Sequence, residues 1–422
     1  MKAEIISIGT ELLVGSILNT NVRFLSQKLA ENAIDLYHQV TVGDNPDRII
    51  ECLEQAVKRS DLVIASGGLG PTEDDVTVKS VARFLKTPLV FHKNIHKAIV
   101  RRLKLKNRRM LPLIKRQCYA PQGAFVLENK NGTASGILAE TFWRGQKKWI
   151  LLLPGPPREL EPLFLEKALP LFLRRSKLKK EHFVVRSVRI SGLLEAEAAV
   201  KMNDLLKSKP PLTVGIYAKP GEVELKIMVK SASHAKALAS AQKTENTIRR
   251  RFGEKVYGVD GETLSSALGD LLLRRKKTLS VAESCTGGFL STLITDIPGS
   301  SDYFLGGVVA YSDEVKTSKL GVSAKMLKKY GAVSAPVAFF MAKNCRIRFS
   351  SDYGVGITGI AGPSGGSGKK PVGLVYIAIS GAAGTRVFKN QFFGNRTEIK
   401  NRAAQTALDL LRLHLMKKVK LS

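Results

Sequence analysis

The chain has 422 residues, 44% of them hydrophobic, so we expect two or three packed domains, and no apolar run approaches the ~20 residues of a transmembrane helix. Its 4 cysteines are scattered without a Cys-x-x-Cys pair, which argues against a disulfide framework or a zinc site. Residues 1–9 read as a core strand rather than a signal peptide. Together these features indicate a cytoplasmic location. The net charge is +31, but the basic bursts are not interleaved with aromatic residues, so we expect nonspecific attraction to nucleic acid and no membrane binding.

Residues 1–172 alternate apolar strands with amphipathic helices, which predicts a layered, mostly parallel α/β domain. The predicted strands are 5–8, 37–42, 61–66 and 149–153, and the predicted helices are 21–32, 46–60 and a segment that starts at 158. Residues 66–77, SGGLGPTEDDVT, follow the third of these strands. Ligands of open α/β sheets bind at the carboxyl ends of the strands, and glycine amides can surround a phosphate.

The same loop carries Asp74 and Asp75, and carboxylates suit Mg²⁺-like ions that bridge phosphates. A Walker A loop is absent, and the alternative is a glycine turn before an acidic helix start. Other polar loops follow neighbouring strands, at residues 9–13, 19, 44–45, 132–136 and 154–157. Their expected convergence at one sheet edge favours a phosphate or nucleotide site.

Residues 173–256 predict a small α+β module with strands 184–191 and 223–229 and helices 195–206 and 234–252. Prolines and glycines mark turns at 210–211 and 219–222. Residues 257–422 return to alternating helices and strands, beginning with a helix at 263–276.

The most informative segment is 282–288, AESCTGG, between a predicted strand at 279–282 and a predicted helix at 288–297. It places the Ser284 hydroxyl at a strand-to-helix turn near amides that can stabilise an oxyanion. A second predicted strand, 307–311, ends at Tyr311 and is followed by Lys316. A partly desolvated lysine can accept the proton of a serine nucleophile. The alternatives are a simple capped turn and a rival nucleophile, Cys285.

These blocks resemble the CinA family of competence- and damage-inducible proteins along nearly the whole chain. The N-terminal blocks are similar to a molybdopterin-binding fold, and the C-terminal blocks resemble a nicotinamide mononucleotide (NMN) amidohydrolase domain. The matching blocks are 9–13, 66–77, 132–134, 153–155, 217–222, 282–288, 298–301, 311–316, 331–334, 358–363 and 370–373.

The resemblance implies three domains: a three-layer α/β domain at 1–172, an α+β domain at 173–256 and an α/β amidohydrolase domain at 257–422. It implies a homodimer that converts NMN to nicotinic acid mononucleotide without a cofactor. It also implies a metal-dependent ADP-ribose pyrophosphatase in the N-terminal domain. Both activities would recycle pyridine nucleotides.

In the amidohydrolase domain, the resemblance makes Ser284 the nucleophile, Lys316 the general base and Tyr311 an aid to proton transfer. The implied substrate contacts are Gly287, Gly288, Thr358, Gly359, Gly362 and Arg396. In the N-terminal domain, the implied nucleotide contacts are Glu11, Asn19, Gly67, Gly68, Gly70, Thr72 and Thr133, and the implied metal ligands are Asp44, Asp74 and Asp75. Four N-terminal positions depart from the family pattern. Ser135 and Pro156 stand where proline and valine are usual, Leu160 stands where methionine is common, and Cys118 replaces a less reactive residue.

Two other hypotheses follow from the same sequence. The chain could be a scaffold or nucleic-acid-associated competence protein with vestigial sites, which the charge favours. Its basic bursts are at 101–109, 174–180, 249–251, 274–277 and 417–420. The N-terminal domain could also bind a pterin.

Overall fold

The structure is a computed structural model that describes residues 1–103, 111–177, 181–219, 221–417 and 420–421. Parts of the basic bursts 101–109, 174–180 and 417–420, and Pro220 of the predicted turn, lie outside these residues. The chain divides into a first unit, Met1–Phe183 with Lys230–Ala237, and a second unit, Val184–Val229 with Leu238–Ser422. The predicted domain boundaries after residues 172 and 256 stay predictions. Within the described ranges, no helix has the length and apolar character needed to cross a membrane.

The first unit contains a six-stranded sheet and a two-stranded sheet. Its strands are β1 (Lys2–Ile8), β2 (Asp35–Val42), β3 (Leu62–Ser66), β4 (Leu89–Phe91), β5 (Tyr119–Pro121), β6 (Phe125–Leu127), β7 (Gly136–Trp143) and β8 (Gln146–Leu153). Its helices are α1 (Thr10–Leu13), α2 (Thr20–Glu31), α3 (Pro46–Arg59), α4 (Thr77–Leu85), α5 (Lys93–Leu103), α6 (Leu111–Arg116), α7 (Pro157–Leu163) and α8 (Leu169–Ser176). The large sheet has the order β2-β1-β3-β8-β7-β6, and its first four strands are parallel. Strands β4 and β5 form the small antiparallel sheet.

Alternating residues of the central strand β1 fill two different cores. Ile5 packs with α2, α7 and α8, whereas Ile6 packs with α3 and α4 on the opposite face. Leu25 and Leu29, four residues apart on α2, are fully buried, as the helical period requires. The unit is therefore a three-layer α/β structure, as the sequence predicts.

The second unit begins with a four-stranded sheet of order β10-β11-β9-β12. Its elements are β9 (His182–Ser191), α9 (Glu195–Leu206), β10 (Leu212–Lys219), β11 (Glu222–Ser231), α10 (His234–Phe252) and β12 (Val256–Val259). Two of these strands, β10 and β12, were not predicted. The apolar residues Leu212, Val214, Ile216 and Ala218 alternate along β10, so the prediction missed a strand signal that is present, although only Val214 is buried.

A five-stranded sheet completes the second unit, in the order β14-β13-β15-β16-β17. Its elements are α11 (Leu264–Arg274), β13 (Leu279–Glu283), α12 (Phe289–Thr295), β14 (Phe304–Val309), α13 (Asp313–Leu320), α14 (Ala324–Tyr330), α15 (Ala335–Arg348), β15 (Tyr353–Gly359), β16 (Leu374–Gly381), β17 (Gly384–Gln391) and α16 (Arg396–Leu415). The first three strands in this order, β14, β13 and β15, are parallel. Val281 packs with α11, α12 and α16, whereas Ala282 packs with α13 and α15. This is again a sheet between two layers of helices.

One predicted boundary near the candidate site is wrong. The strand predicted at 307–311 is Phe304–Val309, because its ladder with β13 ends where Val309 pairs with Glu283. Ser312 then caps α13 by accepting a hydrogen bond from the Val315 amide at 3.2 Å. Tyr311 therefore lies in the loop between strand and helix.

Candidate active site

Ser284 lies at the carboxyl end of the interior strand β13, where the chain turns into α12. Its amide donates to the Ile357 carbonyl of β15 at 2.9 Å, which ties the turn to the sheet. Only 8% of Ser284 is exposed. Its side chain borders a cavity of about 270 Å³, the serine cavity. Residues of five segments line it, among them Ser284, Cys285, Tyr311, Lys316, Ala332, Thr358, Gly359, Gly362 and Arg396.

Lys316 lines the same cavity from α13, and only 1% of it is exposed. Its Nζ donates to the carbonyl oxygens of Tyr311 at 3.1 Å and Ser312 at 3.4 Å. Burial lowers the pKa of Lys316, and the carboxylate of Asp313, 3.5 Å from Nζ, opposes this shift. A lysine with a lowered pKa is closer to the neutral form that a general base needs.

Ser284 and Lys316 do not share a hydrogen bond; none joins them among the described residues. Their side chains border one cavity, and hydrogen bonds between catalytic groups are often absent or long before substrate binds. The other candidate nucleophile is less suited to the role. Burial raises the pKa of the Cys285 thiol to about 12, so this thiol is protonated at neutral pH and is a weak nucleophile.

The amides of Gly287 and Gly288 have acceptors within the protein, and their role as substrate contacts stays a prediction. Gly287 donates to the Ser284 carbonyl at 3.1 Å, and Gly288 donates to Glu283 Oε2 at 3.1 Å. Neither glycine lines the serine cavity. The amide of Cys285, a residue that does line the cavity, donates to no other described residue, so it is the oxyanion donor that this turn still offers.

The residue that sequence reasoning missed here is Glu283. Its carboxylate is fully buried and accepts hydrogen bonds from the amides of Gly288, Leu290 and Ser291 and from the Ser291 hydroxyl, at 2.6–3.1 Å. A carboxylate at a helix N-terminus is favoured by the helix dipole. Glu283 therefore anchors the start of α12 and with it the turn that carries Ser284.

Replacing Glu283 with alanine is expected to destabilise the protein by about 3 kcal/mol, because hydrogen bonds to a buried charged group contribute about 1.5–3 kcal/mol each and are not additive. Urea denaturation measured by circular dichroism would test this. The matched control is Glu314→Ala, which removes an exposed carboxylate from the first turn of α13 and should destabilise the protein by less than about 1 kcal/mol. Equal midpoints for the two variants would show that Glu283 is not an anchor.

Arg396, the first residue of α16, joins two sides of the serine cavity. Its Nη1 donates to the Gly362 carbonyl at 2.6 Å, and its Nη2 donates to the Tyr311 hydroxyl at 2.8 Å. Tyr311 is 60% exposed, so it lies at the rim. Thr358 is fully buried and donates to the Ala332 carbonyl at 2.9 Å, which joins β15 to the loop before α15.

The polar loops of the first unit border a larger cavity of about 520 Å³, the glycine-loop cavity. The residues predicted to bind a nucleotide or metal that line it are Glu11, Asn19, Asp44, Gly67, Gly68, Gly70, Asp74, Asp75 and Thr133. Thr72 does not line it, and borders a neighbouring cavity instead. Asn19 also caps α2, since its Oδ1 accepts from the Val22 amide at 3.2 Å.

The roles of Asp44, Asp74 and Asp75 as metal ligands stay a prediction. Among the described residues, no group of three histidine, cysteine, aspartate or glutamate side chains lies close enough to hold a metal ion. Asp75 instead holds the glycine loop, accepting from the Gly70 amide at 2.7 Å and from the Thr72 amide and hydroxyl at 2.8 and 2.6 Å. Asp44 Oδ2 accepts from the amide and hydroxyl of Thr10 at 2.9 and 2.8 Å.

Sequence reasoning also missed Asn21 and Glu159, which line the glycine-loop cavity. Asn21 donates to the Gly155 carbonyl at 2.6 Å and joins α2 to the loop after β8. Burial raises the pKa of Glu159, against the hydrogen bond from Asn129 at 2.7 Å. Neither residue is in a glycine-rich motif, so no sequence signal singled them out.

Three family models together match almost the whole chain. The probable molybdopterin binding domain matches residues 4–174, the damage-inducible protein CinA KH domain matches 185–258, and the CinA C-terminal domain matches 261–415.

Full-length relatives agree with these matches. A CinA-like protein of Nostoc punctiforme is 44% identical over 420 residues, covering 99% of this chain and 100% of the relative. A CinA-like protein of Kosmotoga olearia is 42% identical over 416 residues, covering 99% of each chain. The crystal structure of the competence/damage inducible protein CihA from Agrobacterium tumefaciens, at 37% identity, covers 36% of this chain and 93% of its own, with a TM-score of 0.35. The chain therefore belongs to the CinA family of competence- and damage-inducible proteins.

Proposed function

We propose that the C-terminal part of the chain hydrolyses the carboxamide of NMN to nicotinic acid mononucleotide and ammonia. The observation that carries this proposal is the shared border of Ser284, Lys316 and Arg396 on one cavity of about 270 Å³. The three side chains supply a hydroxyl nucleophile, a buried amine and a cation for a phosphate.

In the proposed reaction, Lys316 in its neutral form accepts the Ser284 proton while Oγ bonds to the carboxamide carbon. The carbonyl oxygen becomes an oxyanion, for which the amide of Cys285 is the candidate donor. The C–N bond then breaks, and Lys316 returns the proton to the leaving ammonia. Water attacks the acyl ester and releases the acid, again with Lys316 as base. No cofactor is required by these steps.

The test is ammonia release from NMN by the full-length protein, with nicotinamide riboside as a second substrate. NMN should be deamidated and the riboside, which lacks the phosphate, should be a poor substrate. A folded protein that releases no ammonia from NMN would contradict the proposal and favour a scaffold role.

Arg396→Ala is expected to raise the KM for NMN by about tenfold to a hundredfold, because one charge-assisted phosphate contact is worth about 1.5–3 kcal/mol. The KM for nicotinamide riboside should change little, since the riboside has no phosphate. Steady-state kinetics on both substrates would separate this role from a loss of Tyr311 positioning, which would affect both substrates alike. Arg402→Ala, a half-buried arginine on the same helix, is the matched control.

For the first unit, we propose nucleotide binding in the glycine-loop cavity with hydrolysis of the phosphoanhydride of ADP-ribose. Glycine amides and the carboxylates around one cavity of about 520 Å³ favour this second function. A divalent ion would neutralise phosphate charge there. Because the described carboxylates form no complete ligand set, we propose that the substrate phosphates supply the remaining ligands, as is common for Mg²⁺. Release of AMP from ADP-ribose with and without added Mg²⁺ tests this.

A further inference from the structure

The serine cavity has one acidic group on its border. Among the described residues that line it, Asp313 is the only carboxylate, and the other ionisable side chains there are Cys285, Tyr311, Lys316 and Arg396. A carboxylate repels a phosphorylated substrate, so Asp313 does not help to attract one. Its contribution to the site must come from what it contacts.

The Asp313 carboxylate faces the amine of Lys316. Its Oδ1 is 3.5 Å from Lys316 Nζ, and 60% of the Asp313 side chain is exposed against 1% of the Lys316 side chain. In the described part of the chain, neither side chain has another ion pair. Lys316 Nζ donates to the carbonyl oxygens of Tyr311 and Ser312, which leaves the third hydrogen of its ammonium form for Asp313.

The position of Asp313 in its helix does not by itself account for this contact. Asp313 is the first residue of α13, where the helix dipole favours a carboxylate. Glu314 lies in the same turn and has the same benefit, yet among the described residues it neither borders the cavity nor pairs with a lysine. Asp313 differs because it is three residues from Lys316, a spacing that places both side chains on one face of the helix.

The proposed deamidation changes the charges next to this ion pair. When Lys316 accepts the Ser284 proton, its neutral amine becomes an ammonium, and the amine is neutral again once the proton has passed to the leaving ammonia. Hydrolysis of the acyl ester then leaves a carboxylate in place of the neutral carboxamide. Opposite charges a few ångströms apart attract and like charges repel. Asp313 therefore favours the transient ammonium and disfavours the bound product.

We propose that Asp313 is a positioning residue that controls the proton held by Lys316 and promotes release of the carboxylate product. It acts through Lys316 and through its charge, and it forms no bond with the reacting atoms. Asp313 opposes the lowering of the Lys316 pKa by burial, so Lys316 is a stronger base but becomes neutral only at higher pH. The other groups around Lys316 are the Cys285 thiol, the Tyr311 hydroxyl and the cationic Arg396. The inference rests on the deamidation proposed above.

The experiment measures NMN deamidation by the full-length protein as a function of pH, with Asp313→Asn beside Glu314→Gln. Asparagine keeps the shape of Asp313 and removes its charge, whereas Glu314→Gln removes a charge from the same turn but away from the cavity. In Asp313→Asn, the rising limb of kcat/KM should move to lower pH and the plateau should fall. On that limb, kcat/KM relative to its plateau should increase about twofold to fivefold, the effect of one exposed ion pair. Glu314→Gln should match the parent.

Inhibition by nicotinic acid mononucleotide gives a second readout. Asp313→Asn should bind this product about twofold to fivefold more tightly than Glu314→Gln does, because a repulsion is removed. The KM for NMN should change less than about twofold, since the carboxamide is neutral. A merely structural role of Asp313 would lower activity without moving the pH limb or the inhibition constant. Thermal unfolding of both variants at pH 7 shows that each is folded.

Coincident pH limbs and equal inhibition constants for the two variants, with an active parent, would overturn the role of Asp313 alone. A shifted limb with unchanged inhibition would overturn its role in product release, and the reverse result would overturn its control of the Lys316 proton. A folded parent that releases no ammonia from NMN would instead overturn the deamidation on which the inference rests.

Discussion

Replacing Ser284 with alanine is expected to lower the rate of NMN deamidation by a factor on the order of 10⁴ to 10⁶, the range observed when members of other catalytic constellations that use a serine nucleophile are removed. Two described residues of the strand-to-helix turn border the serine cavity, Ser284 and Cys285. Of these two, only Ser284 has a hydroxyl. The change deletes a single oxygen, and the Ser284 amide can still donate to Ile357. The fold should therefore be preserved while the reaction is lost.

Two further alanine variants make this result specific. Ser301→Ala removes an exposed hydroxyl from a turn distant in sequence from the nucleophile and should leave the rate unchanged. Cys285→Ala tests the rival nucleophile and should retain deamidation, since the raised pKa of Cys285 keeps its thiol protonated. Activity that survives in Ser284→Ala but disappears in Cys285→Ala would transfer the nucleophilic role to the thiol.

Lys316→Met should abolish deamidation to a similar extent while leaving the protein at least as stable as the parent. Methionine matches the length of the buried lysine stem but cannot accept the Ser284 proton. The cost of burying an ammonium group disappears with it, and this cost is the main cause of the lowered pKa of Lys316. Ammonia release and thermal unfolding at pH 7 would be measured together. A variant that keeps its activity would show that Lys316 is not the base.

The lowered pKa of Lys316 also sets the direction of two pH dependences. The neutral amine becomes more abundant as pH rises through the lowered pKa, so kcat/KM should rise with pH below 10.5, the ordinary lysine value. Between the lowered pKa of Lys316 in the folded state and 10.5 in the unfolded state, the unfolded state binds more protons than the folded state. Lys316 therefore makes the free energy of unfolding rise with pH over this range. Lys316→Met should lose this contribution. A parent profile of kcat/KM that falls over this range would contradict the assignment of Lys316 as base.

Several elements could be predicted from the sequence because their apolar residues follow a clear period. Helices α9 and α10 have the predicted bounds, and strands β1, β3 and β8 are present with small differences at their ends. The strand β10 has an alternating apolar pattern that the prediction missed, whereas its pairing with β11 is seen only in the structure. Its backbone hydrogen bonds are made to a neighbour that the local sequence does not reveal.

The family, the three-layer α/β character of the first unit and the position of Ser284 at a strand-to-helix turn were determined by the sequence itself, because they depend on local periodicity and ordered motifs. Only the tertiary structure decided which polar groups are free. Glu283 takes the helix amide of Gly288, and Asp75 takes the amides of its own loop. A sequence lists donors and acceptors, but hydrogen bonding is competitive, and the nearest partner in three dimensions determines which groups remain for a ligand.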